Sequence, residues 1–391
     1  QCVNSPLSII VIAQLLGTSL WFTPNGVTSA LIVDWALTLD QLGYLTSAVQ
    51  LGFIIGTLFV AFSGLADRYR ASRIFTMSAV LGAVFNALFI VSEGSFTSAL
   101  LWRFLTGVCL AGIYPLGMKL VVSWVPNKTG HALAWLVGML TLGTSLPHAM
   151  RGISSGFDWQ WVVLSASLLA LVSAVMIYRL GEGQHLPASS ALAIKGKALA
   201  AFKVPEFRAA AFAYFGHCWE LYAFWTLLPV IVLTTLEQAS FSLYYAPWAS
   251  FIIVAIGMPG CLIAGLLSRE WGSAKTAYLM LFISGLICFM WPFFAESNIV
   301  LVLLLLLLWG ATVIADSAQY SALAAASCPK EYLGSALSLM NSVGFLMTIF
   351  SISLTTMLYS YIGNYVAWLM LPGPLVGLWT MRLLLSSDPT K

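Results

Sequence analysis

The sequence predicts an all-α membrane protein: twelve transmembrane helices in two pseudo-symmetric six-helix bundles. Three observations carry the prediction: an apolar excess, continuous apolar runs of spanning length, and positive charge confined to alternate loops. Of 391 residues, 60% are hydrophobic and 8% are charged, and mean hydropathy is +0.93. Soluble domains carry roughly 45–50% apolar and 25% charged residues. So little polar surface cannot cover so large an apolar interior, which excludes a soluble enzyme, a disordered tail and a secreted disulfide scaffold.

A spanning helix needs about 20 apolar residues. The chain length allows a span and a short loop for each of twelve helices. A membrane β-barrel would show short alternating segments, whereas the run from Val300 to Ala315 is uninterrupted. The predicted helices are 7–32, 41–63, 74–92, 99–125, 131–153, 160–180, 209–235, 244–268, 276–295, 299–327, 333–358 and 362–385. The polar stretch 182–208, with Pro187, Ser189, Ser190 and several Lys, reads as a linker between bundles 1–181 and 209–391.

Of the 17 Lys and Arg, all but Arg103, Lys119 and Arg151 fall in the linker, its flanks, the tail, or the loops after the second, fourth, eighth and tenth helices. The opposite loops hold none. Lys and Arg accumulate on the cytoplasmic side, so both termini and the linker are expected in the cytoplasm of a bacterial inner membrane. The Cys residues are scattered without a CxxC pattern and read as small buried hydrophobes. The chain begins with Gln1 rather than Met, so a few leading residues are expected to have been trimmed, and no charged leader region is seen before the first helix.

The halves repeat at an offset of about 201–204 residues. Gly64-Leu65-Ala66-Asp67-Arg68 parallels Gly265-Leu266-Leu267-Ser268-Arg269. Gly107 and Val125-Pro126 parallel Gly310 and Cys328-Pro329, and Gly130-His131-Ala132-Leu133 parallels Gly334-Ser335-Ala336-Leu337. Two like halves on a linker are the layout of a rocking transporter whose site lies at the bilayer midplane.

The loop Ser63-Gly64-Leu65-Ala66-Asp67-Arg68-Tyr69-Arg70-Ala71-Ser72-Arg73 resembles the loop 2–3 motif of the major facilitator superfamily, written GxLaDrxGrkxxl. It departs at both Gly positions, where Ser63 and Arg70 stand. Arg103-Phe104-Leu105-Thr106-Gly107 resembles that family's RxxxG motif. The resemblance implies alternating access, a cavity walled by helices 1, 4, 7 and 10, and a cytoplasmic gate involving Gly64, Asp67, Arg68, Arg73 and, in the repeat, Arg269. The alternative reading of these arginines is that they only fix topology. The Gly-Pro pair of the family's drug antiporters is missing from helix 5, and helices 2 and 8 lack the arginines of its nitrate carriers.

A charge at the bilayer centre costs about 2.5–3.5 kcal/mol even on the lenient insertion scale, so intramembrane ionisable residues are functional candidates. Glu220, with His217 one turn away, is the first proton-coupling candidate, because a carboxyl withdrawn from water can load and release a proton. Asp316 is the second and Arg103 completes the set. A fixed ion pair of Asp316 with Lys119 or Arg103 is the alternative. Candidate substrate-binding residues are Gln14, Trp21 and Asn25 on one face of helix 1, Tyr114 on helix 4, His148 and Arg151 on helix 5, Phe224 on helix 7 and Tyr320 on helix 10. Polar groups on helix 1 also serve as interhelical glue, and Arg151 also suits a snorkelling role.

There is no P-loop, HExxH, CxxC or EF-hand pattern and no Gly-x-Ser-x-Gly elbow. The expectation is therefore a non-enzymatic, monomeric secondary transporter with no cofactor, metal or nucleic-acid partner. It would take up a small polar or anionic organic solute by proton symport. The alternative is a proton-driven exporter of a metabolite or siderophore.

Overall fold

The computed structural model describes residues 5–63, 65, 69–93, 95–125, 129–185, 197–328 and 333–386. Among these, the regular structure is helical throughout. The first predicted span is broken. α1 (Pro6–Thr18) opens on Ser5, whose Oγ accepts the Ser8 N–H at 3.2 Å, with Pro6 as its first residue. It continues as α2 (Thr23–Gly26) and α3 (Thr28–Asp34). At the break, Thr18 Oγ1 donates to the Gln14 carbonyl at 2.8 Å and Ser19 Oγ to that of Leu16 at 2.7 Å. Pro24 brings no N–H to the ladder, so the carbonyls of this segment need partners elsewhere.

The chain continues through α4 (Leu39–Ser63), α5 (Ala71–Leu88), α6 (Phe96–Trp124), α7 (Thr129–Ile153) and α8 (Gln160–Leu180). After the linker come α9 (Pro205–Gln238), α10 (Ala246–Ala255), α11 (Gly257–Trp271), α12 (Ser273–Phe294), α13 (Ile299–Thr312), α14 (Ser317–Ser327), α15 (Leu333–Ile362), α16 (Val366–Met370) and α17 (Pro372–Ser386). The all-α membrane class expected from composition is what the chain adopts. Among the described residues, nine stretches are long and apolar enough to cross a membrane. α1 has only 13 residues, α7 is not among the nine, and the last two expected spans run together as one apolar stretch, Ala336–Leu385.

The chain packs as two units, Gln1–Ser189 with Leu228–Ala255, and Ser190–Leu227 with Ile256–Lys391. The chain leaves the second unit next to Pro229 inside α9 and re-enters it at the interruption between α10 and α11. In the first unit α10 packs on α7, with the Trp248 indole lying over Gly152. The start of the linker ties three helices of this unit together. Glu182 Oε1 accepts the Ser72 N–H at 2.7 Å at the head of α5, and the His185 N–H reaches the Ser123 carbonyl at 3.0 Å. Gly181 ends α8 at φ +70°, a conformation open to glycine without strain.

α4 and α6 touch backbone to backbone. A Cβ on Gly107 would press on the Val49 carbonyl, and one on Gly52 would press on the Phe104 carbonyl. The glycine of the RxxxG run is therefore a packing requirement. Gly107→Val is expected to destabilise the first unit by about 1–3 kcal/mol through overpacking. Thermal unfolding in detergent checks this; an unchanged midpoint would contradict the close approach.

Candidate functional site

Both units bury polar side chains that hydrogen-bond to one another. In the first unit the break after α1 organises these side chains. Arg103 Nη2 donates to the carbonyls of Leu20 at 3.1 Å and Trp21 at 2.6 Å, and Nη1 donates to Asn86 Oδ1 at 3.0 Å. Asn86 in turn donates to the Val163 carbonyl at 3.1 Å and to Ser167 Oγ at 3.0 Å. No carboxylate of the described residues pairs with Arg103. Its positive charge sits instead at the negative end of the α1 dipole, among carbonyls freed by the break. Trp21 Nε1 donates to Gln50 Oε1 at 3.0 Å and its ring packs on Phe53 at 4.9 Å. Asn25 Oδ1 accepts from Thr46 Oγ1 at 3.3 Å. Gln14 is fully buried against Gly117. Both of its amide atoms, and Nε2 of Gln50, lack a hydrogen-bond partner among the described residues.

In the second unit α9 presents two carboxylate-centred groups one turn apart. Trp309 Nε1 donates to Glu220 Oε1 at 2.8 Å, and Ser284 Oγ lies 3.0 Å from Glu220 Oε2. Phe224 stacks on the Trp309 indole at 4.4 Å, and the Trp291 ring lies tilted to the same indole at 5.8 Å. His217 Nδ1 lies 2.8 Å from Asp316 Oδ1, and the Tyr320 hydroxyl donates to Oδ2 at 2.9 Å. The His217 contact has the distance of an ion pair without the alignment of a hydrogen bond, since Oδ1 gains no aligned donor. Asp316 occupies the interruption between α13 and α14, which frees it to face α9. Glu220, His217 and Asp316 are all essentially inaccessible to solvent.

The Ser284 hydroxyl has a second acceptor within reach. Its Oγ is also 3.2 Å from the Leu281 carbonyl. One hydroxyl hydrogen serves one acceptor at a time. Donated to Glu220, it stabilises the ionised carboxylate. Turned to Leu281, it leaves an oxygen lone pair to accept from the protonated acid. The same heavy-atom positions thus hold both proton states.

His148 is buried in α7, and Tyr114 is half-buried on α6. Arg151 sits in the last turn of α7 and donates through Nη1 to the Phe157 carbonyl at 3.1 Å, tying down the following loop. Arg73 and Arg269 are exposed on α5 and α11. Gly64, Asp67 and Arg68 lie outside the described residues. The structure adds two residues that the sequence did not single out. Asn86 was detectable as an amide inside an apolar helix; Ser284, a lone small hydroxyl, gave no signal.

A sequence profile described as Major Facilitator Superfamily matches residues 9–352. The chain is 26% identical over 166 residues to a niacin transporter of Acinetobacter baylyi, covering 40% of this chain and 35% of that one. It is 30% identical over 162 residues to a 4-hydroxybenzoate transporter of Pseudomonas aeruginosa, again covering 40% and 35%. These matches span close to a third of the relatives' own length. A solved D-xylose–proton symporter superposes with a TM-score of 0.76 at 14% identity, covering 98% of this chain and 97% of that one. The Escherichia coli xylose transporter in a partially occluded inward-open conformation gives 0.75 at 14%, covering 100% of both. At such identity these two speak for the fold alone. With the family profile matched along most of its length and the same fold in solved neighbours, the chain belongs to the Major Facilitator Superfamily.

Proposed function

We propose that this protein is a secondary transporter that carries a small organic anion across a bacterial cytoplasmic membrane together with a proton. The observation that carries the proposal is the Glu220 site. It is a carboxyl inside a membrane-spanning helix, held by one indole and one reversible hydroxyl, with no Lys or Arg of the described residues paired to it. A proton is the counter-charge that such a group takes most simply. His217, Asp316 and Tyr320 form the neighbouring relay, and Arg103 holds the helix 1 break.

The anionic substrate class draws on the relatives, which are named for carrying niacin and 4-hydroxybenzoate. Within this chain the supporting groups are the unpartnered amide of Gln14 and the unpartnered Nε2 of Gln50, whose N–H groups suit a carboxylate or ring-nitrogen ligand. Trp21, Asn25, Tyr114, His148, Arg151, Phe224 and Tyr320 complete the proposed binding set. The halves 1–181 and 209–391 would rock about the site as monomers, with cytoplasmic termini and the Gly64–Arg73 loop as the inner gate.

Purified protein in liposomes tests the reading. Nicotinate or 4-hydroxybenzoate is expected to exchange across the membrane and to accumulate when the outside is made acidic. Absence of both would reject it. Gln14→Leu, which keeps the bulk and removes the amide, is expected to raise KM roughly tenfold, the worth of about one hydrogen bond to a charged group. A more stable variant with unchanged KM would reduce Gln14 to a strained core amide.

A further inference from the structure

We propose that a groove between the beginning of α9 and the end of α17 is a binding site for an anionic phospholipid. The groove has a volume of about 570 Å³ and is lined by Pro205, Arg208, Phe212, Trp379, Arg382 and Leu383 among others. It lies wholly within the second unit. Two features specify its occupant.

The first is charge. Arg208 and Arg382 are both exposed, and among the described residues neither guanidinium has a hydrogen-bond or ion-pair partner and no carboxylate lines the groove. Two guanidinium groups on one cleft present planar donor forks suited to a phosphodiester. The second is depth. Arg208 lies in the first turn of α9, and Arg382 lies near the end of α17. With a rise of about 1.5 Å per residue, both arginines stand within about 6 Å of helix ends that meet at the same membrane surface. One turn further in, Phe212 follows Arg208 at i+4 and Trp379 precedes Arg382 at i−3, each on the same helix face as its arginine. These rings are 42% and 69% exposed.

Cations at headgroup level above exposed aromatic rings match a lipid, which carries a phosphate above acyl chains. A free phosphate would leave the aromatic walls unfilled. An orientation with cytoplasmic termini would place this site in the cytoplasmic leaflet, where anionic lipids face the basic loops. The site itself does not depend on proton coupling or on substrate.

The test uses the full-length protein purified in mixed micelles with equal phosphatidylglycerol and phosphatidylcholine of identical chains, read by native mass spectrometry. Mixed micelles have no sidedness, so the readout is separate from the transport proposal and from the orientation. Phosphatidylglycerol should be retained in preference. Arg208→Gln and Arg382→Gln should each weaken that retention about fivefold, and the double variant roughly 30-fold, on the usual value of one basic residue near an anionic surface. Both side chains are exposed, so melting temperatures should stay level. Trp379→Ala should weaken retention of both lipids, because it removes chain contact and leaves the charges in place. Equal retention of the two lipids, or full retention by the double variant, would overturn the proposal. Displacement of phosphatidylglycerol by equimolar inorganic phosphate would also overturn it, in favour of a free-anion site.

Discussion

Glu220→Gln is expected to abolish proton-driven accumulation while solute exchange continues. The argument is geometric. Glutamine keeps an oxygen where Glu220 Oε1 accepts from Trp309 at 2.8 Å. Its amide nitrogen replaces Oε2, 3.0 Å from Ser284 Oγ, and that hydroxyl can accept once its hydrogen turns to Leu281. The variant therefore imitates the protonated carboxyl and should fold. Exchange should change by less than about tenfold, the scale of one hydrogen bond, whereas the accumulation ratio should fall to unity. Ser284→Ala is the companion. It removes the reversible donor, so accumulation should persist with a shifted pH profile. If Glu220→Gln accumulates solute at wild-type rates, Glu220 is not the proton carrier. If Ser284→Ala leaves the pH profile in place, the hydroxyl is not part of the switch.

Arg103→Ala is expected to damage folding far more than Glu220→Gln, Ser284→Ala or Gly107→Val. Two acceptors lose their donor, the Trp21 carbonyl and Asn86 Oδ1, while the Leu20 carbonyl keeps the Thr23 hydroxyl at 3.1 Å. Each buried orphan costs about 1–3 kcal/mol, against a total stability of about 5–15 kcal/mol for a typical domain. Inside a membrane no water is at hand to replace the lost donor. The midpoint of thermal unfolding in detergent should fall by about 10 °C or more. Arg103→Lys should be intermediate, because one ammonium keeps the charge but cannot span the carbonyl pair and Asn86 together. A loss of transport by Arg103→Ala with no loss of thermal stability would contradict this structural role and return Arg103 to the coupling machinery.

Much of the fold was legible because lipid imposes simple rules. Apolar runs of spanning length, which give the helical membrane class, follow from solvent physics rather than from detailed packing. The broken first helix was less legible. Thr18, Ser19 and Pro24 are all present in the sequence, yet such residues are tolerated in continuous membrane helices, and the break becomes visible only with the Arg103 contacts. The same limit applies to the sites. The spacing of His217 and Glu220 put both on one side of a helix, but not what that side would meet. Glu220 meets Ser284 from α12, a helix outside the four that the family resemblance implied as cavity wall. Ser284 stayed hidden because a serine in an apolar helix usually satisfies itself on a carbonyl one turn back, and Ser284 also has that option with Leu281. Asp316 meets His217 and Tyr320 because the helix stops just before it, an interruption that Val313-Ile314-Ala315 does not announce.

The most direct measurement of the central claim is proton entry on addition of solute. Liposomes containing the protein and a trapped pH-sensitive dye are given a panel of small organic carboxylates, including nicotinate and 4-hydroxybenzoate, with no imposed gradient. Coupled entry through Glu220 predicts a drop in lumenal pH with at least one carboxylate, and none in Glu220→Gln. Equal acidification by both proteins, or solute entry with no pH change in the unaltered one, would contradict the account.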